Sequence, residues 1–428
     1  MAKNKPGIRF HGFNDEWEQI NITGNVSFSK GRGYSKSSVL PHGTPLLLYG
    51  SLYTDYKTNI NSTNSFANIQ DWSVVSSGHE VVVPASGETA EDIARATAIL
   101  APGIILGGDL NIITPNENIN PSFLALEFTH GRSHNKLVNK AQGISVVHLH
   151  NDDIAELDIL LPEIKEQEKI GKFFEQFDEL INAKEQELEK LRQLKLALLD
   201  GMFPGDNQEK SNGGGKSLIY NILNKNNEFV LSEIPNTPAI RFHGFTEPWR
   251  QATFGDYGYI CMCKRVMKHQ TTTKGDVPFF KIGTFGGSPD AYISRDLFLS
   301  LSHNYSYPRK GDILISAAGT LGRTVEFTGE EQYFQDSNIV WLNHSGKLYN
   351  PFLKVLYSIV KWTSVEGSTL KRLYNNNILN TQILVPQFDE QRKIGDFFRQ
   401  QDETIANAQM QILKLRNIKQ ACMDKMFA

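Results

Sequence analysis

The sequence is poor in cysteine and has no long hydrophobic run. Its 428 residues include three cysteines, Cys261, Cys263 and Cys422, too few for a disulfide framework. Cys261 and Cys263 form a lone C-x-C without a second ligand pair, so we expect no metal site. The longest apolar runs, TPLLLY and ISVVHL, are far shorter than the roughly 20 residues of a membrane helix. MAKNKPGIRF lacks the apolar segment of a signal peptide. We therefore expect reduced thiols, no membrane association and a cytoplasmic location.

Recognisable catalytic motifs are also missing. GGGKS would need a glycine at position 210 to complete a phosphate-binding loop, and that residue is Lys210. NPSF at 120–123 and NPF at 350–352 lack the second proline of the adenine-methyltransferase signature. We interpret both as helix starts with Asn as the cap and Pro in the first turn. SPD at 288–290 has no following [DE]-x-K to complete a nuclease motif. We therefore predict a non-catalytic protein.

The net charge of −3 conceals a difference between parts of the chain. Residues 250–380 carry 15 Lys and Arg against 10 Asp and Glu, whereas residues 20–155 carry 8 against 11. Phosphate binding depends on local clusters of cations rather than on the total charge. Charge alone therefore neither excludes nor establishes a nucleic-acid partner.

An internal repeat sets the organisation of the chain. IRFHGF occurs at 8–13 and at 240–245, and each copy is followed four residues later by tryptophan. LLPEIKEQEKIGKFFEQFDELI at 160–181 matches LVPQFDEQRKIGDFFRQQDETI at 384–405 with an offset of 224, which continues through DGMFP and DKMFA. The chain is therefore two copies of one unit, each with a short N-terminal tag, a globular region and a helical tail.

Each tail has apolar residues at steps of three and four, which is typical of one stripe on a helix. Those residues are Ile170, Phe174, Phe177, Ile181, Leu188, Leu191, Leu194 and Leu198, then Ile394, Phe398, Ile405, Ile412, Leu415, Ile418 and Cys422. Helices of some 38–40 residues, about 58 Å long, would expose these stripes if isolated. We expect them to cover each other as an intramolecular coiled coil. A membrane-surface helix is the alternative, but mixed charges on both faces disfavour it.

The fold class expected is α+β, with two globular domains alternating with two long helices in a pseudo-twofold repeat. The globular regions share β-rich frames, such as GHEVVVPASGETAED and KGDILISAAGTLGRT, but differ in their loops. The expected boundaries are a first domain at 1–160, a first helix at 161–203, a linker at 204–235, a second domain at 236–384 and a second helix at 385–428.

Two globular regions, each followed by a long helix with EQ[ER]KIG[KD]FF, resemble the specificity (S) subunit of type I restriction–modification systems over essentially the whole chain. The residues that carry the resemblance are Pro162, Glu166, Gln167, Lys169, Ile170, Gly171, Phe173 and Phe174, and again Pro386, Glu390, Gln391, Lys393, Ile394, Gly395, Phe397 and Phe398.

The resemblance implies that each globular region is a target-recognition domain that reads one half of a split, asymmetric sequence in double-stranded DNA. It implies that the helices pair antiparallel as a spacer and dock two methyltransferase subunits, which methylate adenine with S-adenosylmethionine. Up to two restriction subunits, which use ATP and Mg²⁺, would complete the assembly. This chain itself would then bind no cofactor.

Candidate DNA contacts are basic residues, hydroxyls and aromatics in glycine-containing loops. In the first domain they are Lys30, Arg32, Tyr34, Lys36, Tyr53, Thr54, Arg132, His134 and Lys136. In the second they are Lys264, Arg265, Lys268, Thr271, Thr272, Lys274, Thr284, Arg323, Lys371 and Arg372.

Each helix also carries two adjacent phenylalanines, one more than a two-helix seam can bury. We predict that one of each pair packs against the domains or a methyltransferase. The partner-binding set is thus Ile170, Phe173, Phe174, Ile394, Phe397 and Phe398. Two other functions remain open at this point: a stand-alone DNA-modifying enzyme with a diverged site, and a coiled-coil scaffold without a DNA role.

Overall fold

The computed structural model describes residues 5–54, 56–141, 143, 146–204, 229–231, 236–362 and 372–427. The chain divides into two compact units. The first comprises Met1–Glu187 with Ala408–Ala428, and the second comprises Leu188–Asn407. Each unit therefore contains a globular region, the beginning of one long helix and the end of the other.

The first unit is a mixed α+β structure. Its strands are β1 Glu18–Asn21, β2 Val26–Lys30, β3 Thr44–Leu47, β4 Asn59–Ile60, β5 Phe66–Ala67, β6 Val75–Ser77, β7 Glu80–Pro84, β8 Ser86–Gly87, β9 Thr97–Ile99, β10 Pro102–Leu106, β11 Leu110–Pro115, β12 Val147–His148 and β13 Asp158–Leu161. Its helices are α1 Ser51–Thr54, α2 Ala90–Ile93, α3 Pro121–His130, α4 Arg132–Lys140 and α5 Asn151–Ala155, followed by the start of α6 Ile164–Met202.

The second unit repeats this plan. Its strands are β14 Phe229–Leu231, β15 Ile240–Phe242, β16 Arg250–Thr253, β17 Tyr259–Cys261, β18 Val277–Phe280, β19 Ala291–Ile293, β20 Ile313–Ser316, β21 Thr324–Glu326, β22 Tyr333–Phe334, β23 Ile339–Asn343 and β24 Gln382–Val385. Its helices are α7 Phe254–Tyr257, α8 Arg295–Asn304, α9 Asn350–Ile359 and α10 Asn375–Leu379, followed by the start of α11 Phe388–Met426.

The sheets of the two units share one strand order, and each sheet of the first unit has one additional edge strand, β4 or β6. The first unit has the orders β2-β11-β7-β9-β4 and β5-β3-β10-β6, and the second has β17-β23-β20-β21 and β19-β18-β22. In both units the second sheet contains one parallel pair, β3 with β10 and β18 with β22. A small antiparallel pair closes each globular region, β1 with β13 and β16 with β24. The frame predicted from the repeat is therefore confirmed.

Both long helices contain 39 residues, which confirms their predicted length. In the first unit the Arg416 guanidinium donates to the Glu185 carboxylate at 2.5 Å, and Lys419 pairs with Asp178. In the second unit Lys195 pairs with Asp402. In the same unit the Phe203 ring centroid lies 6.0 Å from that of Phe398. In both units the partners that rise in number on one helix fall on the other, so the helices pair antiparallel within each unit.

Two local expectations meet a different structure. The segment expected as a linker, 204–235, contains strand β14, which pairs antiparallel with β15; most of the remaining segment lies outside the described residues. Asn120 caps α3 by accepting from the Phe123 amide at 3.0 Å, as predicted. Asn350 is instead the first residue of α9, and its Oδ1 lies 2.6 Å from Nε2 of His344.

None of the helices in the described ranges is long and apolar enough to cross a membrane.

Candidate nucleic-acid interface

The repeated IRFHGF segment is a structural joint between each globular region and its helix. Arg9 donates to both carboxylate oxygens of Glu166, at 2.6 and 2.7 Å. Arg241 makes the same two bonds to Glu390, at 2.7 and 2.8 Å. In both copies the guanidinium also donates to a backbone carbonyl six residues further along. The repeat thus places a bidentate ion pair where each long helix begins.

The phenylalanines of the same segment hold a lysine of the helix. The Lys169 ammonium lies 5.0 Å from the ring centroid of Phe10. The Lys393 ammonium lies 5.8 Å from that of Phe242. These cation–π contacts use the lysine of the KIG motif. They explain why the tag and the helical motif are repeated together.

The glutamine and glycine of the helical motif fit the helix against α3 or α9. Gln167 accepts from the Asn120 amide at 2.8 Å, and Gln391 accepts from the Tyr349 amide at 3.1 Å. A Cβ on Gly395 would lie 2.7 Å from the Phe352 amide nitrogen, closer than real Cβ atoms come. The motif therefore encodes a close helix crossing.

The ends of the two long helices are exchanged between the repeats. Phe427, at the end of α11, packs in the first unit against Phe123 at 5.7 Å between ring centroids and against Trp17 at 6.3 Å. Phe203, just after α6, packs in the second unit against Trp249 at 5.6 Å. The tryptophan after each IRFHGF segment thus belongs to the core that receives the other repeat's helix end.

Four of the six predicted partner-binding residues are core residues of their own unit. Ile170 and Ile394 are 1% exposed, and Phe174 and Phe398 are fully buried. Their side chains leave no surface for another protein, which corrects that assignment. The two remaining residues are partly buried: Phe173 packs edge-on against Phe10, and Phe397 packs edge-on against Phe242.

Several loops of the second unit meet at one end of its sheets. We call this set the second loop end; it comprises 264–274, 281–287, 317–323, 335–338 and 372–374. The Arg323 guanidinium donates to the Phe285 carbonyl at 2.9 Å, and the Ile282 amide donates to Oε1 of Gln335 at 2.9 Å. Backbone and side-chain bonds thus fix the loops to one another.

Residues 335–338 lie at the centre of the second loop end. Arg265 donates to the Asp336 carboxylate at 2.8 Å, and Arg372 donates to the Ser337 carbonyl at 3.1 Å. Ser337 has a φ of 60°, an uncommon conformation for a non-glycine residue. The segment therefore holds basic side chains from loops that are about a hundred residues apart in the sequence.

The first unit has an equivalent set, the first loop end, comprising 31–36, 48–54, 85–89, 107–109 and 148–150. The Gly108 amide donates to the Gly33 carbonyl at 2.6 Å. The Ala85 amide donates to the Asp109 carbonyl at 2.8 Å, and Asp109 has a φ of 59°. A Cβ on Gly31 would lie 1.8 Å from the Gly107 carbonyl oxygen, so this approach requires glycine. Both units thus present loops from the same positions of the same frame.

The candidate contacts of the first unit fall into two groups, one in or beside the first loop end and one on α4. Lys30, Arg32 and Lys36 are exposed in or beside the first loop end. Tyr34 lies there too, but its hydroxyl donates to the Asn68 carbonyl at 2.9 Å and lies 2.5 Å from the Ser73 hydroxyl.

Tyr53 and Thr54 are in the first loop end but bond to the protein itself. Tyr53 donates to the Ser86 carbonyl, and burial raises the pKa of its hydroxyl. Thr54 donates to the Gly50 carbonyl at 3.2 Å. Their hydroxyls therefore support the loops.

The other candidates of the first unit, Arg132, His134 and Lys136, lie on α4 rather than in the first loop end. Nδ1 of His134 lies 3.1 Å from the Ala94 carbonyl, and Lys136 donates to the Asp158 carbonyl at 3.1 Å. The structure does not bring this cluster together with the loop residues.

The candidates of the second unit that the structure describes all lie in the second loop end. Lys268 and Lys274 are exposed. The Lys264 ammonium lies 4.9 Å from the Tyr305 ring centroid. The hydroxyls are used locally: Thr271 donates to Lys268, Thr272 donates to Lys274, and Thr284 accepts from the Lys281 amide. Lys371 lies outside the described residues.

Sequence reasoning missed several exposed residues in or beside the loop ends. Trp72 is 42% exposed, and its ring centroid lies 5.0 Å from that of Tyr34. His148 and His150 are exposed in the first unit, and Tyr374 is 55% exposed in the second. For the histidines and Tyr374 the sequence does hold a signal: the offset of 224 aligns positions 148 and 150 with positions 372 and 374.

The C-x-C cysteines are buried. Burial raises the pKa of the Cys263 thiol to about 12 and also raises that of Cys261. Within the part of the chain that the structure describes, no group of three or more His, Cys, Asp or Glu residues could hold a metal ion.

Comparison with known proteins decides the family. The family model described as "Type I restriction modification DNA specificity domain" matches residues 14–193 and 246–416. The chain belongs to this family. The match falls on both units and on both long helices, so the specificity-subunit resemblance is confirmed.

Two kinds of relative agree with the family. A Haemophilus influenzae protein described as a type I restriction enzyme specificity subunit is 52% identical over 155 residues, which are 36% of this chain. The match spans 40% of that relative's length. The structure of the S subunit of a type I restriction–modification system from M. genitalium shares 14% identity, with a TM-score of 0.60 over 99% of both chains. A chain from a structure of complex assembly and conformational transition of the type I system has 17% identity and a TM-score of 0.51, covering 97% of this chain and 99% of that one. These two structures support the fold.

Proposed function

We propose that this specificity subunit reads a two-part, asymmetric sequence in double-stranded DNA, with one half read by each loop end. The observation that carries the proposal is that both units hold different loop sequences on one frame. By the offset of 232, Arg265 and Met267 of the second loop end correspond to Gly33 and Ser35 of the first. Equal positions with different side chains are what two readers of different half-sites require.

The second loop end has the composition of a DNA-binding surface. Lys264, Arg265, Lys268 and Lys274 are exposed on a single segment, and Arg323 is exposed on a neighbouring loop. Phosphate contacts from such cations supply affinity and orientation, while nearby side chains read base edges. The first loop end offers fewer cations, so we propose that a partner subunit supplies part of its phosphate contacts.

The partners proposed are two methyltransferase subunits, which carry S-adenosylmethionine, and up to two restriction subunits, which use ATP and Mg²⁺. This chain acts without a cofactor and without catalysis. The proposal follows from the family, and the pseudo-twofold repeat supports it because two similar units offer two similar docking places.

The antiparallel helices are proposed to set the distance between the two half-sites. A 39-residue helix is about 58 Å long, and a paired helix is stiff. Each added base pair moves a half-site by about 3.4 Å and turns it by about 34° around the DNA axis. The protein can stretch slightly more easily than it can rotate one reader around the DNA. We therefore expect a non-contacted gap of roughly 5–8 base pairs with one preferred length.

The test is methylation of duplexes whose gap is varied one base pair at a time. The half-sites are first mapped from modified adenines in cells that carry the whole system. We expect one gap length to be modified efficiently, and duplexes with a single half-site serve as controls. Equal modification across three or more consecutive lengths would show that a flexible tether joins the readers. Methyl transfer by the purified chain alone would instead support a stand-alone enzyme.

A further inference from the structure

Resting on the proposed function, we propose that His148 and His150 in the first unit, and Arg372 and Tyr374 in the second, are the side-chain pairs that read base edges. The two pairs are equivalent by the offset of 224 that relates the helical motifs. They belong to the first and second loop ends, respectively. The chemistry recognised is a base edge in a DNA groove.

The residue between the members of each pair fixes their direction. Leu149 is fully buried and its amide donates to the Ala85 carbonyl at 3.1 Å. Leu373 is 2% exposed and its amide donates to the Ala317 carbonyl at 2.8 Å. In extended backbone, neighbouring side chains point to opposite faces. The flanking side chains of each pair therefore share the outward face.

Both pairs are held in place before any ligand arrives. His148 pairs with Ser86 in the β12–β8 ladder, and Arg372 forms an isolated bridge with Ala318. The second member of each pair precedes a short helix and its amide bonds to a side chain there. His150 donates to Asp153 at 2.9 Å, and Tyr374 donates to Asn377 at 3.1 Å. A base-reading side chain needs such a fixed backbone, because a small displacement would break its hydrogen bonds to the base.

The two pairs offer different hydrogen-bonding chemistry at the same place. The imidazole rings of His148 and His150 lie parallel, with centroids 6.5 Å apart. The Arg372 guanidinium lies 6.0 Å from the centroid of the Tyr374 ring. A guanidinium has five donors in a fork, so its bond to Ser337 leaves enough for a bidentate contact to a guanine edge. Different side-chain pairs on one frame would recognise different bases in the two half-sites.

The experiment exchanges the pairs in the full system and maps modified bases in genomic DNA. The variant H148R/H150Y gives the first unit the pair of the second, and R372H/Y374H replaces arginine and tyrosine by histidine. We expect each variant to change the accepted bases at one or two positions of one half-site. Modification of the original sequence should fall about tenfold or more, while the other half-site and the gap stay unchanged.

Matched controls make the same chemical change at the opposite ends of β7 and β20, the strands that lead into the two loop ends. H79R lies in the exposed turn before β7, and R309H lies in the exposed turn before β20. Both should keep the original target. If a double variant no longer recognises either half-site, the single substitutions H148N and R372K test the proposal instead. They alter the hydrogen-bonding groups with less change in bulk.

Three outcomes separate this inference from the proposed function. Unchanged half-sites at full modification in the double variants, or in H148N and R372K, would overturn the inference. A change confined to one half-site would support it. A wild-type system without any sequence-dependent modification would overturn the proposed function itself.

Discussion

The guanidinium of Arg241 donates two hydrogen bonds to the Glu390 carboxylate in a place where neither side chain is more than 2% exposed. The pair joins the tag of the second repeat to the first turns of α11. Breaking it by removing one partner would leave a buried charge without compensation, which is far costlier than loss of a surface ion pair.

R241A should therefore lower the free energy of unfolding of the second unit by about 3–5 kcal/mol. R9A should cost less, because the Arg9 side chain is 14% exposed and water can replace part of the contact. The measurement is urea unfolding of the intact chain, with exposed Arg250→Ala as the control. Equal costs for R241A and R250A would show that the joint does not stabilise the unit.

Replacing Gly395 by alanine should destabilise the protein, although alanine usually stabilises a helix by about 0.5–1 kcal/mol relative to glycine. The added Cβ would lie 2.7 Å from the backbone nitrogen of Phe352, which cannot move without displacing α9. G201A is the comparison, because its Cβ would meet the flexible end of Ile240 at 2.9 Å. Thermal melting should rank G395A well below G201A. The reverse order would mean that the close crossing is not rigid.

A fragment ending near residue 210 should dimerise symmetrically. It keeps Trp17 and Phe174 but loses Phe427, and its own Phe203 matches Phe427 at the offset of 224. Phe203 of each copy can therefore fill the vacant place in the other. Sedimentation should show a dimer, and with methyltransferase the target should consist of two identical half-sites.

The substitution F203A should weaken the fragment dimer by about 3–5 kcal/mol, as expected for deletion of a buried aromatic side chain. L196A is the matched control, because Leu196 is 67% exposed on the same helix. A monomeric fragment, or F203A dimers as strong as those of L196A, would show that the helix ends are not interchangeable.

Two titratable groups of α3, the buried Glu127 and the half-buried His130, should give opposite pH dependences. Burial raises the pKa of Glu127 to about 7 from 4.5, so its contribution to stability is present below pH 4.5 and is lost as the pH rises through 7. Burial, followed by the charge of Lys419, lowers the pKa of His130 to about 4 from 6.5. Its contribution is present above pH 6.5 and is lost as the pH falls through 4.

Between pH 4.5 and 6.5 Glu127 makes the free energy of unfolding fall with pH and His130 makes it rise. Each effect is at most about 1.4 kcal/mol per pH unit. E127Q should leave stability rising with pH, and H130Q should leave it falling. Urea unfolding at several pH values measures both, with exposed H79Q as the control. Parallel slopes in E127Q and H130Q would contradict the two burial effects.

The sequence predicted the long helices well because Ile170, Ile181 and Leu188 repeat at helical spacing, and this local pattern fixes length and face. It did not predict that Phe203 and Phe427 would be exchanged between the units. An apolar stripe shows that a helix has a partner but does not identify the core that its end will enter.

The site was harder to predict than the fold. Charge and nearby glycines predict Lys268 and Arg323 as DNA contacts, and both are exposed. Residue type also predicts Tyr34, whose hydroxyl bonds to the protein itself. The placement of His148 depends on its pairing with Ser86 and on the bond from Leu149 to Ala85, which only the folded chain brings about. Residue type alone cannot show which polar groups are already used internally.

The pairing of β1 with β13, and of β16 with β24, places the start and the end of each globular region side by side. The chain thus leaves and re-enters the joint through two neighbouring strands. Loops between them that do not contact the long helices can therefore differ in length and sequence while the ion pair of Arg9 or Arg241 stays in place. Recombination within those strands would exchange a whole globular region in one step, and on the proposed function this would change the DNA target while the long helices keep their geometry.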